Sequence, residues 1–192
     1  WDGVRSGGTV APPMDRRQAL NDPDSQVVVQ ALRDGPLTAN LIKPAIELLA
    51  WDSVAGESIL ALRATAADHT SVLVRHLLDP DEDFAIRRRL VSVLGDLPET
   101  GAIDGLVGAL DDQRFEVRYR AGRALKRLIE RAPSLTIDRE RVTAVILREV
   151  TVERSVWKSR QLLDTADDDL AASVADVLRE RADRSLEHVF AL

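Results

Sequence analysis

Leu78-Asp79-Pro80-Asp81-Glu82-Asp83-Phe84-Ala85-Ile86-Arg87-Arg88-Arg89-Leu90-Val91-Ser92-Val93-Leu94 is the stretch that decides the fold. An acidic, proline-containing turn opens into a segment whose apolar residues are Ile86, Leu90, Val93, Leu94 and Leu97. Their spacing of i, i+4, i+7, i+8 and i+11 draws one stripe along an α-helix. Adding 31 to each position gives Val117, Ala121, Ala124, Leu125 and Leu128, all apolar. Under the same shift Phe84 maps onto Phe115, Arg87 onto Arg118 and Arg89 onto Arg120. Agreement over so many positions marks an internal repeat.

Working outward, the stripe recurs upstream at a shift of 32 as Val54, Ser58, Ala61, Leu62 and Thr65. An earlier copy follows Leu20-Asn21-Asp22-Pro23-Asp24 as Val28, Ala31 and Leu32. Each of these helices is preceded by another, marked by Ile42, Ala45, Ile46 and Leu49, by Val74, Leu77 and Leu78, and by Ile103, Leu106, Val107 and Leu110. Gly35-Pro36, Pro98 with Gly101, and Pro133 are expected to end helices or to start the next hairpin. Asp79-Pro80-Asp81 and Asp111-Asp112 are expected in the turns within hairpins, where a carboxylate caps the incoming helix and complements its dipole. The unit is helix, turn, helix. A single hairpin cannot bury its apolar face, whereas stacked neighbours bury it jointly.

The Leu-Asp-Pro-Asp then Phe-Ala-Ile-Arg-Arg-Arg pattern, and the Leu-Asp-Asp then Phe-Glu-Val-Arg-Tyr-Arg-Ala-Gly-Arg-Ala-Leu pattern, resemble bacterial HEAT repeats of the phycobilisome-lyase type. The resemblance is most specific over residues 72–130, and no repeat is legible after residue 133. It implies an all-α chain: a right-handed superhelical solenoid of antiparallel helical hairpins, armadillo-like in general form, with a non-repeat C-terminal helical cap. The expected organisation is a flexible leader at 1–16, HEAT-like repeats at 17–132, and C-terminal helices at 133–192 that cap the stack or connect it to another domain. In the last part, residues 137–163 are expected to form one long helix or two with a bend, and the acidic cluster Asp164, Asp167, Asp168 and Asp169 to start another. The chain starts at Trp1 and ends in Val189-Phe190-Ala191-Leu192, so both ends are expected to be boundaries within a longer protein.

Composition narrows the function. Apolar residues make up 45% of the 192, aromatics only 4%, and the formal net charge is −6. An acidic balance disfavours a general nucleic-acid binder, which needs a basic surface to displace counterions. Cysteine is absent, which excludes disulfides, Cys-ligated metals and thiol catalysis. No run of about 18 apolar residues is present to span a bilayer, and residues 1–13 carry no signal pattern. A cytoplasmic location is expected. The three histidines, His69, His76 and His188, fit no common metal-ligand spacing and read as surface residues. The paired His-Glu ligands of HEAT-like di-iron hydroxylases are missing, as are phosphate-binding glycine loops and a Gly-x-Ser-x-Gly nucleophile elbow. Trp51 is expected to staple one hairpin to the next, and Trp157 to pack in the C-terminal core. No cofactor and no catalysis are expected.

The arginines carry the remaining signal. The resemblance implies a structural ladder in which Arg87 and Arg118 pair with Asp79 or Asp81 and with Asp111 or Asp112. It also implies a concave groove lined by the second helix of each hairpin. Residues 84–132 hold ten Lys/Arg against seven Asp/Glu, a local charge of +3 in an acidic protein. Arg88, Arg89, Arg120, Arg123 and Arg127 are the candidate groove residues. The function so read is a non-catalytic scaffold that binds a partner protein segment or a sister domain. Other readings are a cytosolic regulatory region of a bacterial membrane carrier related to nucleotide translocases, suggested by the tail Leu186–Leu192, a HEAT-like DNA-repair glycosylase, and a bilin-lyase-like chaperone.

Overall fold

A computed structural model describes residues 15–148 together with Thr151, Glu180, Asp183, Arg184 and Glu187. Among the described residues the chain is all-helical: α1 (Arg16–Ala19), α2 (Ser25–Arg33), α3 (Ala39–Glu47) with a 3₁₀ turn (Leu48–Ala50), α4 (Asp52–Arg63), α5 (Ala66–Leu78), α6 (Phe84–Leu94), α7 (Thr100–Ala109), α8 (Phe115–Arg131), and α9 over 139–148. None of these helices is long and apolar enough to cross a membrane.

The apolar stripes set the packing. Val28, Ala31 and Leu32 of α2, Val54 and Leu62 of α4, Ile86, Leu90, Val93 and Leu94 of α6, and Val117, Ala121, Ala124, Leu125 and Leu128 of α8 are all buried. The alternate helices bury Ile42, Ala45 and Ile46, then Leu73 and Leu77, then Ile103, Leu106 and Val107. Contacts follow a two-layer order. In one layer α1 packs on α3, α3 on α5 and α5 on α7; in the other α2 packs on α4, α4 on α6 and α6 on α8. Each pair joined by a turn, α1 with α2, α3 with α4, α5 with α6 and α7 with α8, also packs together. Every internal hairpin therefore has a neighbour on each side, and one continuous core runs through the stack.

Helices α5 and α7 meet closely at a glycine. A Cβ added at Gly105 would meet Val74 Cγ2 at 2.5 Å, so only glycine fits where Val74 lies against α7. Gly35 takes a φ of +83° between α2 and α3, which places the break of the first hairpin where the sequence puts it. One polar residue sits within a stripe. Ser58 is fully buried and donates to the Ala45 carbonyl at 2.5 Å, supplying a partner to one of the last carbonyls of α3.

Several expectations are corrected. Asp79 and Asp81 do not cap α6; Asp83 does, accepting from the amides of Ala85 and Ile86. Asp79 instead turns the chain by accepting from the Asp81 amide at 3.0 Å. Asp24 caps α2 through the Gln26 amide. His69 lies inside α5, at a non-helical kink. Leu78 turns outward and is 42% exposed. Arg16, placed in the leader by the sequence, starts α1 and donates to the carbonyls of Ala31, Gly35 and Pro36. Trp51 sits half-buried at the junction of the 3₁₀ turn and α4, packed against the core. Beyond residue 133 the core continues, because Val145 of α9 is buried and Leu135, Ile137 and Val142 pack against it. The expected acidic helix start at Asp164–Asp169, Trp157, His188 and the leader up to residue 14 lie outside the described residues.

Candidate interaction face

The turns and the outer face of α8 hold the charged chemistry. Arg87 and Asp112 meet in a buried ion pair that joins α6 to the turn of the next hairpin. Arg87 Nε also donates to the Leu77 carbonyl at 3.0 Å, and Asp112 Oδ1 accepts from the Arg114 amide at 2.8 Å. Arg87 thus reaches forward to Asp112, not back to Asp79 or Asp81. Arg118, its counterpart one repeat on, donates to the carbonyls of Asp112 at 2.9 Å and Gln113 at 3.1 Å. A cavity of about 330 Å³ opens between the two turns, beside Leu78, Pro80, Gly108 and Arg114.

Asp111, exposed by contrast, is claimed by α9. Arg141 Nη2 donates to its carboxylate at 2.8 Å and Arg148 Nη1 at 2.9 Å, while Arg148 Nη2 donates to the Leu110 carbonyl at 2.6 Å. Partial burial pushes the Asp111 carboxyl up, but the two arginine hydrogen bonds outweigh it and hold the group below the usual aspartate range.

The candidate groove arginines divide into two sets. Arg89 is structural: it bonds the Leu49 carbonyl and the Asp52 carboxylate, tying α6 to the preceding hairpin. That hydrogen bond holds the Asp52 carboxyl below its usual range. Arg88 lies over the Phe84 ring at 5.7 Å, and Arg114 joins the same ring at 4.7 Å. Arg120, Arg123 and Arg127 all lie on one side of α8 and line an open cleft of about 230 Å³ against Val91 and Ser92 of α6. Arg120 Nε donates to Glu116 at 2.8 Å, an i,i+4 pair that leaves the arginine 42% exposed. Arg123 Nη1 donates to Tyr119 Oη at 3.2 Å and its guanidinium stands over the Tyr119 ring. Arg127 and Lys126 are exposed. Helix α8 carries six Lys/Arg against two Asp/Glu, a charge of +4 on one helix.

Tyr119 and the α9 arginines Arg141 and Arg148 escaped the sequence reading. Tyr119 was legible in principle, standing four residues after Phe115 and four before Arg123, the spacing at which helical side chains meet. Phe115 and Tyr119 do stack, with centroids 5.7 Å apart. Elsewhere His76 Nδ1 and Glu82 Oε2 lie 2.5 Å apart across the turn before α6. Among the described residues no three His, Asp or Glu side chains gather as a metal site requires. No family model matches the chain, and neither a curated protein nor a solved structure is significantly similar to it.

Proposed function

We propose that this chain is a non-catalytic interaction module: a HEAT-like, right-handed solenoid whose second-layer helices present a basic face to an acidic segment of a partner protein or sister domain. The observation that carries the reading is the outer side of α8. There Arg120, Arg123 and Arg127 converge with Tyr119 on one open cleft, on a helix of charge +4 in a protein of net charge −6. A tyrosine ring backed by arginines suits recognition of a carboxylate-bearing segment, since it offers apolar area, a hydroxyl and cations together. The two-layer stack supports the solenoid, because among helices α1–α8 the main contacts between hairpins join neighbours in sequence. Membership of the HEAT group rests on the repeat at 78–94 and 109–125.

The test is a fluorescence-anisotropy titration of the whole chain with a labelled poly-glutamate peptide, repeated with a duplex DNA of equal charge. The expected result is salt-sensitive binding of the peptide that Arg120→Glu/Arg123→Glu/Arg127→Glu abolishes without altering the thermal melt. Equal binding of the triple variant would overturn the proposal, as would DNA binding tighter than peptide binding at physiological salt. The same variant pair, used as bait and read by mass spectrometry, would then name the partner.

A further inference from the structure

The basic face of α8 already has a carboxylate on it. Glu187 Oε2 accepts from the Tyr119 hydroxyl at 2.5 Å, a contact between residues 68 apart in sequence. Tyr119 is the residue that receives Arg123 and lines the cleft with Arg120 and Arg127. Glu187 therefore enters the surface where a partner carboxylate is expected. It does not come alone. Glu180, Asp183 and Glu187 are all helical, and i, i+3 and i+7 is the spacing of residues that share one side of a helix. Arg184 is turned to Glu180 by an i,i+4 ion pair. Across residues 164–192 the sequence holds eight Asp/Glu against three Arg, a charge of −5, opposite in sign and similar in size to the +4 of α8.

We propose that the segment carrying Glu180, Asp183 and Glu187 docks on the α8 face as a resident acidic ligand, which an external acidic segment must displace. The regulatory half of this rests on the reading of α8 as the working face; the docking half does not. Being tethered, the segment competes at a high effective concentration even if each contact is weak. An outside ligand then meets a face that is open for only part of the time, and its apparent affinity falls by that fraction. The partner so selected must carry more carboxylates than the resident segment, or hold them more rigidly.

Docking and regulation are read separately. The chain has no cysteine, so Arg123→Cys/Arg184→Cys places the only two thiols one helical turn from the bonded Tyr119 and Glu187, leaving both in place. In dilute protein a short bismaleimide should bridge the pair within one chain, whereas Lys43→Cys/Arg184→Cys, with Lys43 exposed on α3 in the other layer, should give two separate adducts. Separate adducts in the first pair would overturn the docking. For regulation, Glu180→Gln/Asp183→Asn/Glu187→Gln should tighten poly-glutamate binding about tenfold. Neutralising the exposed Asp15, Asp68 and Asp81 instead, for the same change in charge, should tighten it less than twofold. Equal tightening by both sets would overturn the regulatory claim. A bridged pair in a chain that binds no poly-glutamate in any form would keep the docking and sink the reading of α8 as a site for outside ligands.

Discussion

Asp112→Ala is the substitution with the largest expected effect, and its magnitude follows from what it leaves behind. Arg87 is 8% exposed, and its described partners are the Asp112 carboxylate and the Leu77 carbonyl. Removing the carboxylate strands a guanidinium between two hairpins, a change that costs about 3–5 kcal/mol when one member of a buried pair is deleted. The Arg114 amide also loses its acceptor, but Arg114 is exposed and water can replace it. At about 2–4 °C per kcal/mol for a chain of this size, the melting temperature should fall by about 6–20 °C. The assay is urea unfolding followed by far-UV circular dichroism, run as a double-mutant cycle. Arg87→Met should cost a comparable amount, and Arg87→Met/Asp112→Leu should recover much of the loss, because an apolar pair leaves no buried charge unpaired. If Asp112→Ala stays within about 1 kcal/mol of the parent, the pair does not couple α6 to the next hairpin and the reasoning fails.

Further outcomes are expected elsewhere in the stack. Gly105→Ala should cost about 1–3 kcal/mol, because its Cβ would press on Val74 and push α7 away from α5; an unchanged urea midpoint would mean that this interface gives freely. Arg89→Ala should destabilise by about 1–3 kcal/mol by stranding the Leu49 carbonyl, whereas exposed Arg127→Ala should change stability by less than about 0.5 kcal/mol, so equal midpoints would remove the division of the arginines into structural and surface sets. Asp111 has a carboxyl pKa lowered on folding, so its contribution is complete above the unfolded aspartate value of about 3.9 and is lost as pH falls through the lower folded value. Asp111→Asn should therefore melt below the parent at neutral pH and coincide with it in strong acid, and a difference independent of pH would contradict the α9 contacts.

The sequence carried the helices further than the side-chain partners. A shift of 31 residues located the apolar stripes of α6 and α8, and every residue named in the α8 stripe is buried. Burial is legible because the helical period fixes which face turns inward. Which acceptor a long arginine reaches is set by the distance to the next hairpin, which no period encodes. Arg89 reads like a groove residue yet ties back to Leu49 and Asp52, and Arg87 passes over Asp79 and Asp81 to reach Asp112. The cap of α6 was misplaced for a related reason. Asp79, Asp81 and Asp83 all stand before the helix, and only the backbone at Asp83 puts a carboxylate beneath the amides of Ala85 and Ile86. Tyr119 and Glu187 lie far apart in sequence, so their meeting was out of reach of any local pattern.

The most direct test of the central claim, that the outer side of α8 is the working surface, is a backbone-amide NMR titration of the whole chain with an acidic peptide. The account expects shifts at Tyr119, Arg120, Arg123 and Arg127, accompanied by shifts at Glu180, Asp183 and Glu187 as the resident segment leaves. Shifts confined to α3, α5 and α7, or none at peptide concentrations that saturate the anisotropy signal, would contradict it.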